Sequence, residues 1–259
     1  MSFDSNTPLA ALVGDVAAAP RDAGERLLLA VQGVPSCADK DARLLYVREQ
    51  ARSVAAVALD IHVLLTNNRL QNIVGLCRVA FESRINLCAA MRVPDFAAQK
   101  FIAQAQSNLR ELEEVANGAR NPQIFRQAFE HHRQLLQEMR QSYCGVKERA
   151  WKIKEAAEAA GLLDDHNEYY SMLSKAAHNT PAGLLSKEEP RVMATSVLRL
   201  LHDTLEAAHC LVFFRERDDA TPQPVTLHWE HLIEPLEALR QQYAVMQSRL
   251  GAMLSSVPG

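Results

Sequence analysis

Apolar residues recur at intervals of three and four along most of the chain, the period of α-helices that turn one face to a core. Pro8 follows Asn6-Thr7 and opens a short helix that ends near Pro20. GERLLLAVQG reads as a second short helix, closed by Gly33 and Pro35. A long helix follows from about Asp39 to Thr66, with Leu44, Leu45, Val54, Val57, Ala58, Ile61, Leu64 and Leu65 on its apolar face, and Asn67-Asn68 break it. The next helix, Leu70 to Met91, is apolar nearly all round, which predicts a central position. Further helices are predicted over Pro94–Ala116, Pro122–Tyr143, Val146–Ala160, with Gly161 as its C-terminal cap, and Asp165–Ala177. HNTPAGLLSKEEP reads as a loop and Glu189–Arg215 as a long helix. RDDATPQPVT is the best linker in the chain, and a last helix covers Leu227–Leu254 before a fraying SSVPG tail.

No window alternates apolar and polar positions with β-branched and aromatic residues. The expected fold is therefore all-α, a multi-helix bundle of about ten helices with no sheet. N-terminal helices (1–66), a central bundle (67–219) and a linker with the C-terminal helix (220–259) should form one compact unit. The apolar helix around Val192–Phe214 could serve either the core or a homodimer interface.

Composition narrows this picture little. The chain of 259 residues is 48% hydrophobic and 23% charged, enough for a true core. A net charge of -3 argues against a broad nucleic-acid surface. No apolar run is long enough to span a bilayer, so no membrane partner is expected, and the N-terminus lacks a signal peptide's basic start. The five cysteines form no CxxC pair, and Cys77, Cys88 and Cys210 lie in apolar helical stretches. Free buried thiols in a reducing cytoplasm are the expectation.

Two polar stripes inside apolar helices carry the candidate chemistry. Arg78, Glu82 and Asn86 lie one turn apart along one helix, and Tyr170, Ser174 and His178 along another. A charge buried alone costs several kcal/mol, so the stripes should meet each other or line a pocket. Glu82 and His178 could then act as an acid–base pair, with Arg78 holding an anion and Ser174 orienting the imidazole. The alternative is a polar network that fixes helix register. If Glu82 pairs with a buried Arg78, its removal should cost several kcal/mol.

Other chemistry finds less support. Of the paired ExxH motifs a di-iron bundle needs, only Glu206-Ala-Ala-His209 is present, and His228 with His231 reads as a pair at the start of a surface helix. No phosphate-cradling or nucleophile-elbow motif occurs, so neither metal nor cofactor is expected. HEPN-type ribonucleases carry an Arg followed by a His after four to six residues, a spacing that Arg126 meets with His131 or His132. With 21 arginines and nine histidines, roughly two such matches arise from composition alone, so the spacing decides nothing.

CRVAFESRINLCAAMRVPDFAAQKF, ERAWKIKEAAEAAGL and YYSMLSKAAHNTPAGL together resemble the motifs of an uncharacterised bacterial family, domain of unknown function 5677. The resemblance spans about residues 65–185. It implies a shared role for Arg78, Glu82, Trp151, Tyr170, Ser174 and His178. At fold level the family is similar to the HEPN helical bundles of toxin and antiphage defence systems. Here, however, the stripe Arg and His lie on separate helices, which weakens a transfer of ribonuclease chemistry. Two function classes remain. One is an intracellular helical interaction or regulatory module with a protein partner. The other is a HEPN-like nucleic-acid-processing enzyme, the only reading that calls for nucleic acid.

Overall fold

The computed structural model describes residues 8–32, 41–67, 73–118, 122–170, 173 and 189–218, with a few positions between 241 and 248. All regular structure among the described residues is helical. Eight α-helices lie there, against the expected ten or so for the whole chain. Linker 217–226 falls almost wholly outside the described residues, and the C-terminal helix largely so.

The first two predicted helices are one, α1 (Pro8–Gln32), with Pro20 inside it. Proline removes a helical donor, but the buried face Ala19, Ala23, Leu27, Ala30 and Val31 continues in register past it. Packing against α2 (Ala42–Thr66) outweighs the local penalty. At their crossing a Cβ on Gly24 would lie 2.9 Å from the Ala55 carbonyl oxygen, so the approach depends on glycine. Asp41 caps α2 by accepting from the Arg43 and Leu44 amides at 2.8 and 3.3 Å.

α3 (Ile73–Arg92) is central, as its apolar circumference predicts, and buries Ile73, Cys77, Phe81, Ile85 and Leu87. α4 (Phe96–Gly118) buries only its first turns in this core, where Tyr46 meets Phe96 and Phe101 edge-on. Its later turns pair with α5 (Arg126–Ser142), after a 3-10 turn at Pro122–Phe125, around a second small core of Ile102, Ala105 and Leu136. The two helices thus form an arm outside the main bundle.

The predicted Val146–Ala160 helix begins late. Residues 146–152 lack regular structure, and α6 covers only Ile153–Ala160. The segment is held by side chains instead: Gln99 donates to the Lys147 carbonyl at 2.9 Å and Lys100 to the Trp151 carbonyl at 3.4 Å. Gly161 ends α6 in the left-handed conformation, φ 69°, in line with its predicted capping role. Of the predicted Asp165–Ala177 helix only 165–170 and 173 are among the described residues, and its first part differs from a regular α-helix. A short α7 (Leu163–Asp165) runs into a π-helical turn, His166–Tyr170. α8 (Glu189–Asp218) places Val197, Leu200, Leu201, Leu205, Ala207, Ala208 and Leu211 in the main core beside α1, α2 and α3. The described apolar face of this helix is therefore spent within the chain.

Candidate functional site

The chain reverses at Gly161 and passes back along α3, which carries Tyr170 to Arg78. Arg78 and Glu82 are one helical turn apart, and Arg78 Nε donates to Glu82 Oε1 at 2.9 Å. A terminal nitrogen of the same guanidinium donates to the Tyr170 hydroxyl at 2.6 Å. His166 stacks nearly parallel on the Tyr170 ring, with centroids 4.6 Å apart. Side-chain exposures of 27% for Arg78 and 35% for Glu82 put the cluster at the rim of the bundle. The hydrogen bond from Arg78 to Glu82 raises the Arg78 pKa further. Partial burial, with the Glu82 charge, pushes the Tyr170 hydroxyl up.

The remaining predicted residues are placed differently. Asn86, one turn beyond Glu82, is half-buried, and its amide oxygen makes no hydrogen bond. Trp151 belongs to the neighbouring surface: its indole nitrogen donates to Gln99 at 2.6 Å, and Arg149 covers its ring at 3.7 Å. Lys100 joins this surface to the rim, bonded to the Trp151 carbonyl and held below its usual pKa by burial, against the opposing pull of Glu82. Ser174 and His178 lie outside the described residues.

A second polar cluster, deeper in the bundle, was not singled out from the sequence. On α3, Arg84 reaches Asp165 at 3.1 Å and Asp203 of α8 at 3.5 Å. Arg199 of α8 pairs with the same two carboxylates, contacting Asp165 closely and Asp203 at 3.4 Å. Asp203 is 1% exposed and Arg84 5%, so this pair is sealed. The contacts to Asp203 are ionic rather than well-aligned hydrogen bonds. Burial pushes the Asp165 carboxyl up, yet the Arg199 and Arg84 guanidiniums overcome this and hold it below the usual range. Arg199 also lies over the rings of Phe81 and Tyr169, at 5.2 and 5.3 Å.

A charge-in-apolar-helix signal was present in the sequence for these residues too. Arg84 lies on the same apolar helix as Glu82, and Arg199 and Asp203 are spaced i, i+4 within LRLLHDTL. Their partnership across α3, α7 and α8 has no local signature.

His166 is 8% exposed, and neither ring nitrogen has a hydrogen-bond partner. No group of three or more His, Cys, Asp or Glu side chains among the described residues could hold a metal ion. Arg126 and His131 are exposed on α5, while the His132 ring bonds to the Ala128 carbonyl of its own helix at 2.9 Å. An apolar hollow of about 310 Å³ lies at the far end of the arm, between Ala116, Phe125 and Phe129. No helix among the described residues is long and apolar enough to cross a membrane.

Comparison with known proteins gives one family match. The model of a family of unknown function (DUF5677) matches residues 50–190, more than half of the chain, and covers both polar clusters except Arg199 and Asp203. No curated protein and no solved structure matches.

Proposed function

The chain belongs to the DUF5677 family, a family of unknown function, and from its polar clusters we propose that it is a non-catalytic helical interaction or regulatory module. One observation carries this reading: each guanidinium of the two clusters is matched by carboxylates of the same fold. Arg78 is spent on Glu82, and Arg84 and Arg199 share Asp165 and Asp203. A site built to hold phosphate would leave cationic charge in excess, and here it is neutralised from within. The clusters then set the register of α3 against the π-helical turn and α8, and the surface they stiffen receives a protein partner in a reducing, cytoplasmic setting. A second copy of the chain is one such partner.

A second reading, a HEPN-like nucleic-acid-processing enzyme of a bacterial toxin or antiphage system, is favoured by one feature. The Arg78–Glu82–Tyr170 cluster is only partly buried, within reach of solvent, and His178 follows Tyr170 by two helical periods in the sequence. Expression of the full chain and of His178→Ala, with growth and total RNA followed, separates the two. The module reading expects no growth arrest or RNA cleavage that depends on His178, and a discrete protein adduct on crosslinking in cells. RNA cleavage that disappears in His178→Ala overturns it in favour of the enzyme.

A further inference from the structure

α3 and α8 run parallel in a fixed register. Cys77 donates its thiol proton to the Ser196 carbonyl at 3.4 Å, across 119 residues of sequence. Arg84 and Asp203 meet at the same offset, two turns further along. One more turn brings Cys88 beside the stretch of α8 that holds Ala207 and Cys210. Cys210 lies one turn beyond Ala207, and its side chain neighbours that of Cys88 across the interface. Both are free cysteines, and both are only partly buried, packed at the margin of the main core. Arg84 and Arg92 of α3 and Glu206 of α8 supply the nearby charges.

We propose that Cys88 and Cys210 form an oxidation site, which a peroxide converts into a disulfide tying α3 to α8. The place has the elements such a step needs: two neighbouring thiols on separate helices, solvent at one side, and cations on the helix that carries one of them. The roles of the two sulfurs differ. The hydrogen bond with Cys210 holds the Cys88 thiol below its usual range against the cost of burial, and Arg84 and Arg92 assist. The same contact, with burial, pushes the Cys210 thiol up. With Arg84 and Arg92 on its own helix, Cys88 is the sulfur assigned to meet the oxidant.

The Cys88 thiolate attacks one oxygen of hydrogen peroxide, the O–O bond breaks, and the departing hydroxide takes up a proton to leave as water. Cys88 is then a sulfenic acid. The Cys210 sulfur attacks the Cys88 sulfur and gives up its own proton, the S–O bond breaks, and a second water leaves. Two thiols lose two electrons in total, and one peroxide is reduced to two waters. The bond closes one turn from Arg84, so it clamps the two helices beside their buried ion pair.

The test is mild peroxide treatment of the full-length protein, alkylation of the remaining thiols, and peptide mapping without reductant. The expected result is a Cys88–Cys210-linked peptide within one chain, reversed by dithiothreitol and absent from Cys88→Ser and Cys210→Ser. It should still form in Cys144→Ser, which removes an exposed thiol of the α5 end. The oxidised protein should melt several degrees above the reduced one. Over-oxidation of Cys88 with Cys210 still alkylatable, or a link between chains in place of the internal one, overturns the proposal. Mapping of the unmutated chain decides this even if a serine variant folds poorly.

Discussion

The two polar clusters use the same chemistry at different depths. At the rim, Arg78 pairs with Glu82 on one helix, and both keep about a third of their side-chain surface in water. Inside, Arg84 and Asp203 pair across two helices and keep almost none. The rim pair is local: it needs only a helix with the two residues one turn apart, and water compensates if it opens. The inner pair exists only when α3 and α8 are docked, and neither charge has water to fall back on. Depth, rather than charge type, separates an ornament of one helix from a lock between two.

That contrast can be broken most forcefully at Asp203. Asp203→Ala should destabilise the protein by about 3–5 kcal/mol, because it leaves Arg84 and Arg199 to share the one carboxylate of Asp165 and so strands one positive charge in the interior, and denaturant unfolding measures this directly. Replacing both partners, as Arg84→Met with Asp203→Leu, should recover most of the loss, since Arg199 retains Asp165. A double variant as unstable as Asp203→Ala alone would show that stranded charge is not the cause.

At the rim the expected effect is smaller. Glu82→Ala should cost about 1 kcal/mol or less, because Arg78 keeps Tyr170 and solvent. The sequence-based expectation of several kcal/mol presumed a buried Arg78 and is revised by its exposure. A loss as large as that of Asp203→Ala would erase the distinction between the clusters.

The smallest effect lies between them, at Asp165, which is about a third exposed. Its folded pKa is depressed, so its contribution is present above the ordinary Asp range and is lost as pH falls through that range toward the folded value. Asp165→Asn should therefore lower stability at neutral pH by less than about 1 kcal/mol. It should also flatten the decline below about pH 5. Melting temperatures of both proteins between neutral and acid pH would reveal a convergence at low pH, or its absence.

Helical periodicity made the all-α architecture and the central place of α3 legible, and capping chemistry marked the end of α6 at Gly161. It failed where tertiary contacts override local preference. Pro20 reads as a stop, yet α1 continues because its buried face lies on α2. Val146–Lys152 reads as helix, yet its carbonyls are claimed by Gln99 and Lys100 of α4. Of the candidate site, Arg78 and Glu82 were legible as neighbours on one face. The partnership with Tyr170 was an inference from the cost of buried polarity, which specifies a need without specifying the partner.

The sequence by itself determined the helical class, most of the apolar faces and the family to which the chain belongs, because these rest on spacing within short stretches. Only the tertiary structure decided which charges are sealed. Arg84 and Asp203 are 119 residues apart and carry no mark in common. They meet because α3 and α8 dock in one parallel register, the same docking that brings Cys210 near Cys88. Burial is a property of that docking, and it fixes what each charge is worth.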